Sequence, residues 1–82
     1  MAKSIHTEVY RDLIDHLADA RRSAGLTQQA VADRLGKPQS YVAKAEGYER
    51  RLDIVEFFLM AGAVGVEPMP LIEATWRTIS EA

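Results

Sequence analysis

Eighty-two residues, 48% of them hydrophobic, suffice for one small domain with a single core but not for a deep catalytic cavity. The chain has no cysteine, which excludes disulfides and thiolate metal sites, and no apolar run approaches the roughly 18 residues of a membrane-spanning helix. The N-terminus lacks the apolar core of a signal peptide, so we expect a soluble, cytoplasmic protein.

The net charge of −2 is distributed unevenly along the chain. Residues 21–51 carry +4, whereas residues 1–20 carry −2 and residues 52–82 carry −4. A protein that presents one face to phosphates and the opposite face to water needs such a segregation of charge. Chance clustering on a solvated surface is the alternative explanation.

The chain begins with a lead-in, residues 1–6, that has no periodicity, followed by a predicted helix over residues 7–24. Thr7 is expected to cap this helix and Gly25 to end it. Apolar residues at three- and four-residue steps predict its inward face, which comprises Tyr10, Leu13, Ile14, Leu17 and Ala20 or Arg21.

Residues 27–48 predict two short helices that meet at a tight turn. Thr27 can cap the first helix, residues 27–35, through its hydroxyl. Gly36 can adopt the left-handed backbone conformation that ends a helix. We therefore expect the turn to begin at Gly36.

The second helix of this pair is predicted over residues 38–46. Pro38 suits its first turn, where the missing N–H would have no partner in any case. Val42 and Ala45 are expected to face the core. The residues expected to face outward are short and polar or basic, namely Gln39, Ser40, Ala43 and Lys44.

Two further helices are predicted over residues 53–64 and 68–80. Asp53 followed by Glu56 is an aspartate variant of the capping box. The inward face of the fourth helix should comprise Ile54, Phe57, Phe58, Ala61 and Val64. One side of the last helix should carry Leu71, Ile72, Thr75, Trp76 and Ile79. Five helices without a convincing strand predict an all-α five-helix bundle.

The fourth helix carries a second apolar stripe. Val55, Leu59 and Gly62 lie at i, i+4 and i+7, on a face where a small soluble domain usually places charge. Either the C-terminal helix of the same chain covers this stripe, or the same stripe of another copy does. In a homodimer, Trp76 could serve as an anchor.

The segment TQQAVADRLGKPQSYVAKAE resembles the helix-turn-helix of the phage repressor and Cro family, the XRE type. The resemblance extends over about three quarters of the chain. Its features are Thr27-Gln28 at a helix start, Ala32 at a close helix contact, Gly36 in the turn, the Ser40-Tyr41-Val42 run and Glu46 at the end of the second helix. It implies a lambda-repressor-like bundle whose second motif helix enters the DNA major groove, usually as a dimer on an inverted repeat.

The outward residue types suit that task, because each base pair shows a distinguishable donor and acceptor pattern in the major groove. The candidates for base contacts are Gln39 with adenine, Ser40 with several bases, Ala43 beside a thymine methyl, Lys44 with guanine or a phosphate, and Lys37 with a base or the backbone. The candidates for phosphate contacts are Thr27, Gln28, Tyr41, Arg50 and Arg51. Ordinary surface solvation is the alternative for each side chain.

The resemblance also implies an ion pair between Arg21 and Glu46 that orients the recognition helix rather than binding DNA. The chain departs from the family after Glu46, where Gly47 and Tyr48 replace the usual order of any residue followed by glycine. Either Gly47 takes the left-handed conformation one residue early, or Tyr48 takes it at a cost. Because Ala45 is smaller than the usual aliphatic residue, Tyr48 could fold back to fill the space.

These features predict a sequence-specific DNA-binding transcriptional regulator, a repressor, that is associated with the nucleoid and binds double-stranded DNA as a homodimer. The alternative is a protein-interaction module of the same fold, such as an antitoxin or adaptor subunit. An enzyme is not expected, since the chain shows no nucleophile with a base, no carboxylate pair and no metal cluster. His6 and His16 lack partners at metal-ligand spacing. No cofactor, small-molecule substrate or membrane contact is expected.

Overall fold

The computed structural model describes the backbone of residues 5–81 and the side chains of residues 7–81. Within this part of the chain there is no strand, so the predicted all-α class is confirmed. Five helices follow one another: α1 Ile5–Ser23, α2 Gln28–Leu35, α3 Gln39–Glu46, α4 Ile54–Val64 and α5 Pro68–Ser80.

The ends of α2 are set by two residues with special backbone roles. Thr27 is the N-cap, and its hydroxyl oxygen accepts a hydrogen bond of 3.0 Å from the Ala30 N–H. Gly36 follows the helix with φ 66° and donates its N–H to carbonyls of the last turn. Both residues have the predicted roles, and α3 can therefore begin only a few residues later.

The starts of α1 and α3 differ from the prediction. Because α1 begins at Ile5, Thr7 lies inside the helix and is not its N-cap; residues 1–4 of the predicted lead-in lie outside the described residues. Val9, which the predicted inward face omitted, is buried where α1 meets α5. Pro38 has an extended ψ of 154° and is the N-cap position of α3, one residue before the helix.

The core lies between α1, α2, α3 and α4. In α4 the buried side chains are Phe57, Met60, Ala61 and Val64. The prediction was wrong for Ile54 and Phe58, which are 59% and 40% exposed. Because α4 is apolar around most of its circumference, the sequence pattern does not determine which face turns inward.

A capping box begins α4, as predicted. The Asp53 carboxylate accepts a hydrogen bond of 2.7 Å from the Glu56 N–H, and the Glu56 carboxylate accepts one of 2.9 Å from the Asp53 N–H. This reciprocal pair satisfies backbone donors that the first turn of a helix leaves without partners. It also fixes the direction in which the Glu56 side chain points.

The last helix, α5, packs mainly against α1 and contains no fully buried residue. Trp76 and Ile79, at the end of its predicted apolar side, are 63% and 46% exposed. It leaves the second stripe of α4 uncovered, since Val55 and Leu59 are 61% and 60% exposed. No helix within residues 5–81 is both long and apolar enough to cross a membrane.

Candidate nucleic-acid interface

One side of α3 forms an exposed ridge, which we call the α3 ridge; it comprises Gln39, Ser40, Ala43 and Lys44. Ala43 is half-buried, and the other three are exposed. On the opposite side of the helix, Val42 and Ala45 are 0% and 1% exposed and attach α3 to the core. No other described segment covers the ridge.

The last turn of α3 is held against α1 by a two-point ion pair. Arg21 donates from Nε to Oε2 of Glu46 at 2.6 Å and from Nη2 to Oε1 at 2.9 Å. Its Nη1 donates to the Leu26 carbonyl at 2.8 Å. The two side chains are only 11% and 10% exposed, so this is a largely desolvated pair whose fork geometry fixes the orientation of both groups.

The ion pair keeps Glu46 ionised. Burial alone would raise the pKa of this carboxyl, but hydrogen bonds from Arg21 and Gln28 and the charge of Arg21 outweigh it, and the pKa is lowered. The hydrogen bond to Glu46 raises the pKa of Arg21. At neutral pH Glu46 is therefore a carboxylate that accepts hydrogen bonds and cannot donate one.

A chain of hydrogen bonds runs from this carboxylate to the α3 ridge. Gln28, the first residue of α2, donates from Nε2 to Oε1 of Glu46 at 3.0 Å. Gln39, the first residue of α3, donates from Nε2 to Oε1 of Gln28 at 2.7 Å. We call Glu46, Gln28 and Gln39 the amide relay.

The amide relay has only one consistent orientation. Since Glu46 can only accept, the NH₂ group of Gln28 must face it, and the Gln28 carbonyl oxygen must face Gln39. Gln39 therefore turns its own NH₂ group towards Gln28. It retains its carbonyl oxygen and its second N–H, the acceptor and donor that a bidentate contact with adenine requires.

Beside the ridge, α3 and the loop before α4 enclose an open cleft, which we call the basic cleft. It is lined by Lys37, Pro38, Ser40, Tyr41, Lys44, Glu49, Arg50 and Arg51. The lining includes four cations and one anion. The segregation of charge that the sequence showed thus becomes a local positive surface adjoining the α3 ridge.

The ring of Tyr41 forms the floor of a small cation cluster. The Lys37 Nζ lies 5.5 Å and the Arg50 Cζ 4.9 Å from its centroid. The Tyr41 hydroxyl donates to Glu56 at 3.3 Å, and Arg50 forms an ion pair with the same carboxylate. Burial raises the pKa of Tyr41, whereas the Asp53 N–H and then Arg50 lower that of Glu56. These contacts preorganise Arg50 beside Tyr41.

The remaining candidates for phosphate contacts also have partners in the protein. Thr27 is the acceptor that caps α2. The Arg51 Cζ lies 4.1 Å from the ring centroid of Tyr10, whose hydroxyl oxygen accepts a hydrogen bond of 2.9 Å from the Leu52 N–H. Thr27 and Arg51 are both exposed at the surface. Tyr41, Arg50 and Arg51 line the basic cleft, and Gln28 contacts Gln39 of the α3 ridge.

Tyr48 resolves the question posed by the turn after α3. Gly47 has φ −87°, and Tyr48 takes the left-handed conformation with φ 64°. Its hydroxyl donates to Asp15, and the Arg11 Cζ lies 4.8 Å from its ring centroid. Tyr48 thus folds back on α1, at the surface rather than in the core, and anchors the loop that carries the arginines of the basic cleft.

Sequence reasoning missed two functional supports. Glu56 was assigned only to the capping box, although it also holds Arg50 and Tyr41. Asp15 lies outside the predicted inward face of α1, yet its carboxylate accepts a hydrogen bond from the Tyr48 hydroxyl. The spacing of Asp53 and Glu56 predicted the capping role of Glu56. The contacts of Glu56 with Arg50 and Tyr41, and of Asp15 with Tyr48, join separate elements and leave no periodic signal in the sequence.

Comparison with known proteins identifies the family of this chain. The helix-turn-helix family model matches residues 17–71 of the chain. The chain belongs to the XRE-type helix-turn-helix family. A solved XRE-family-like protein from Pseudomonas syringae pv. tomato str. DC3000 is 44% identical, with a TM-score of 0.85 and 88% coverage of each chain. The HTH-type transcriptional regulator y4dJ of Sinorhizobium fredii (strain NBRC 101917 / NGR234), described as uncharacterised, is 33% identical over 63 residues, or 77% of this chain and 82% of the relative.

Membership of the XRE-type family makes the protein a DNA-binding regulator rather than an enzyme. The matched region contains the ion pair, the amide relay and the basic cleft, and ends within α5. Within the described residues, no group of three or more His, Asp or Glu side chains is arranged to hold a metal ion. The α3 ridge is therefore the candidate recognition surface.

Proposed function

We propose that this protein is a sequence-specific transcriptional repressor in the cytoplasm, which occupies an operator by inserting α3 into the major groove. The observation that carries the proposal is the exposed α3 ridge with the Gln39 amide held in one orientation by the amide relay. A side chain that is preorganised before binding loses less conformational freedom on contact with a base. The relative from Sinorhizobium fredii, named as a transcriptional regulator, supports the regulatory role.

Within this proposal the α3 ridge reads bases. Gln39 pairs with adenine, Ser40 accepts or donates, and Ala43 leaves space for a thymine methyl. Lys44 reaches a guanine or a phosphate, and Lys37 a base edge or the backbone. Each of these contacts is a proposal based on exposure and chemistry.

The basic cleft and the start of α2 bind phosphates in the same proposal, through Thr27, Gln28, Tyr41, Arg50 and Arg51. Phosphate contacts fix the register of a protein on the duplex and supply affinity that does not depend on sequence. A single module of this size makes few such contacts. High affinity therefore requires a homodimer on an inverted repeat, for which Val55, Leu59, Gly62 and Trp76 are the proposed contact residues.

A second candidate function is a protein-interaction module, such as an antitoxin or adaptor subunit. The exposure of Val55 and Leu59 favours it, because small soluble domains rarely leave such a stripe uncovered. The module would use this stripe on a partner and would not need the basic cleft. Dependence of DNA binding on salt separates the two functions.

The test measures the affinity of the full chain for a fluorescein-labelled duplex of mixed sequence by anisotropy between roughly 50 and 200 mM salt. If the basic cleft binds phosphates, log K falls linearly with log[salt], and Lys44→Ala or Arg50→Ala reduces the slope by about 0.9 each. Arg77→Ala is the matched control, since Arg77 is an exposed cation on α5. Binding without salt dependence, with both cleft variants silent, would support the interaction module instead.

A further inference from the structure

One face of α4 carries large apolar side chains that are exposed to solvent. It comprises Ile54, Val55, Phe58, Leu59 and Gly62, which we call the α4 outer face. Ile54, Val55 and Leu59 are about 60% exposed, and Phe58 is 40% exposed. The single charged residue of α4, Glu56, is turned away to Arg50. The face is therefore apolar and uncharged along its whole length, and exposed apolar patches of this kind mark sites of interaction.

The α4 outer face has a raised end and a hollow end. Val55 and Phe58 project near the start of the helix. Near its end, a Cβ added at Gly62 would have no atom within 4 Å apart from the adjoining residues and backbone of its own helix. A shallow cavity adjoins it, lined by Arg34, Leu35, Phe58, Leu59, Gly62 and Ala63. A surface that carries both a projection and a hollow can complement itself across a twofold axis.

Charges at the two ends of the α4 outer face select the direction of such a pairing. Asp53 lies immediately before the start of α4 and is exposed. At the other end, the Arg34 Nη1 donates to the Ala63 carbonyl at 2.8 Å, and this guanidinium flanks the hollow. An antiparallel copy brings its Asp53 towards Arg34, and helix dipoles are also opposed. A parallel copy would place like charges together.

We propose that the occupant of the α4 outer face is a second copy of this chain, packed through its own α4 in antiparallel orientation about a twofold axis. Leu59 and Phe58 lie at the crossing point, and Val55 of each copy fills the hollow at Gly62 of the other. Arg34 of each copy faces Asp53 of the other. The inference rests on the homodimer of the proposed function and adds the orientation and register of its α4 helices; it makes no use of DNA and is tested without it.

Cysteine cross-linking tests the orientation, because the natural chain contains no cysteine. The full chain is prepared as Val55→Cys and as Gly62→Cys; both positions are exposed, and Gly62 has open space for a side chain. On oxidation of an equal mixture, the antiparallel pairing gives mainly the mixed dimer, identified by intact mass. Met69→Cys, on α5 and 59% exposed, is the matched control and should give no more than background.

Dimers joined through identical positions would contradict the antiparallel arrangement, as would cross-linking of the Met69→Cys control at the same level. A second measurement, sedimentation equilibrium, tests the pairing itself. The 9.1 kDa chain should reach twice that mass at high concentration. Leu59→Glu should weaken association at least tenfold, while Met69→Glu, at equal exposure, should change it less than twofold. Circular dichroism verifies that both variants fold.

A wild-type chain that remains monomeric at all concentrations would overturn the proposal and leave the α4 outer face to another protein. Equal effects of Leu59→Glu and Met69→Glu would also overturn it. The proposed DNA binding would survive either result, since a monomer with a salt-dependent affinity for mixed-sequence DNA still uses the basic cleft. Failure of the pairing and failure of the proposed function are thus distinguishable.

Discussion

Gln28 and Gln39 are joined by a hydrogen bond of 2.7 Å, in which the Gln39 amide donates to the Gln28 carbonyl oxygen. The orientation follows from Glu46, whose carboxylate accepts from Gln28 at 3.0 Å and whose charge is held by Arg21. A contact inside the protein therefore decides which polar atoms Gln39 presents to solvent. In the proposed function these atoms match adenine.

Removal of the middle residue of the amide relay should loosen base discrimination. In Gln28→Ala the Gln39 amide can rotate, so we expect the preference for adenine over guanine at the contacted position to fall by about tenfold, equivalent to about 1.4 kcal/mol. Competition anisotropy with an operator and its single-base variant measures this. Gln29→Ala is the control, because Gln29 is exposed and donates to Asp33 rather than to the relay. An unchanged preference for adenine over guanine in Gln28→Ala would show that the amide relay does not orient Gln39.

Breaking the two-point ion pair should destabilise the fold. Arg21→Met leaves the largely buried Glu46 carboxylate without its partner, for which we expect a loss of about 3 kcal/mol in the free energy of unfolding. Urea denaturation measures it. Arg22→Met, which removes an exposed partner of Asp19, should cost less than about 0.5 kcal/mol. Adding Glu46→Met to Arg21→Met should recover part of the lost unfolding free energy, because the unpaired buried charge is then removed. Equal losses of unfolding free energy in Arg21→Met and Arg22→Met would contradict this account.

The lowered pKa of Glu46 gives stability a defined dependence on pH. The folded state binds the Glu46 proton more weakly than the unfolded state, so the contribution is fully present above the unfolded pKa of about 4.3 and is lost as pH falls through the folded pKa. We expect the Glu46 contribution to be constant from pH 7 to pH 5 and to fall below about pH 4. The difference in unfolding free energy between wild type and Glu46→Gln should shrink over that acidic range. A difference in unfolding free energy that grows below about pH 4 would contradict a lowered pKa of Glu46 in the folded state.

Charge at the edge of the basic cleft should limit affinity for DNA. Glu56 pairs with Arg50, and glutamine at this position can still complete the capping box with Asp53. We therefore expect Glu56→Gln to bind mixed-sequence DNA about two- to fivefold more tightly at low salt, with the fold retained. Glu73→Gln, which removes an exposed carboxylate on α5, is the control and should have little effect. Weaker binding by Glu56→Gln would contradict this expectation and show that the positioning of Arg50 by Glu56 outweighs the repulsion between the Glu56 carboxylate and the phosphates.

The ends of α2 and the start of α4 could be predicted from the sequence because their determinants are local, whereas the starts of α1 and α3 differ from the prediction. Thr27 and Gly36 act on neighbouring backbone groups, and the Asp53-Glu56 spacing is sufficient for a capping box. The predicted inward face of α4 was partly wrong because Phe58 and Met60 are both apolar, and only the packing of α4 against the core decides that Met60 is buried. An amphipathic period requires polar residues to set its phase.

The candidate site was predictable as a set of residues but not as a network. The resemblance pointed to Arg21 and Glu46, whereas the link from Glu46 through Gln28 to Gln39 joins residues far apart in sequence. The sequence left open whether Gly47 or Tyr48 takes the left-handed conformation after α3. The contact of Tyr48 with Asp15 depends on the position of α1 beside the turn. Such contacts arise from packing of separate elements and leave no periodic pattern.

Selection of bound duplexes from a random pool, with wild type and Gln39→Ala in parallel, tests most directly whether the α3 ridge reads DNA. We expect wild type to enrich inverted half-sites whose centres lie about 34 Å apart or near a multiple of it. Gln39→Ala should retain that spacing but lose the preference for adenine at one position in each half-site. An identical consensus for both proteins, or no enriched sequence at all, would show that the α3 ridge does not read bases.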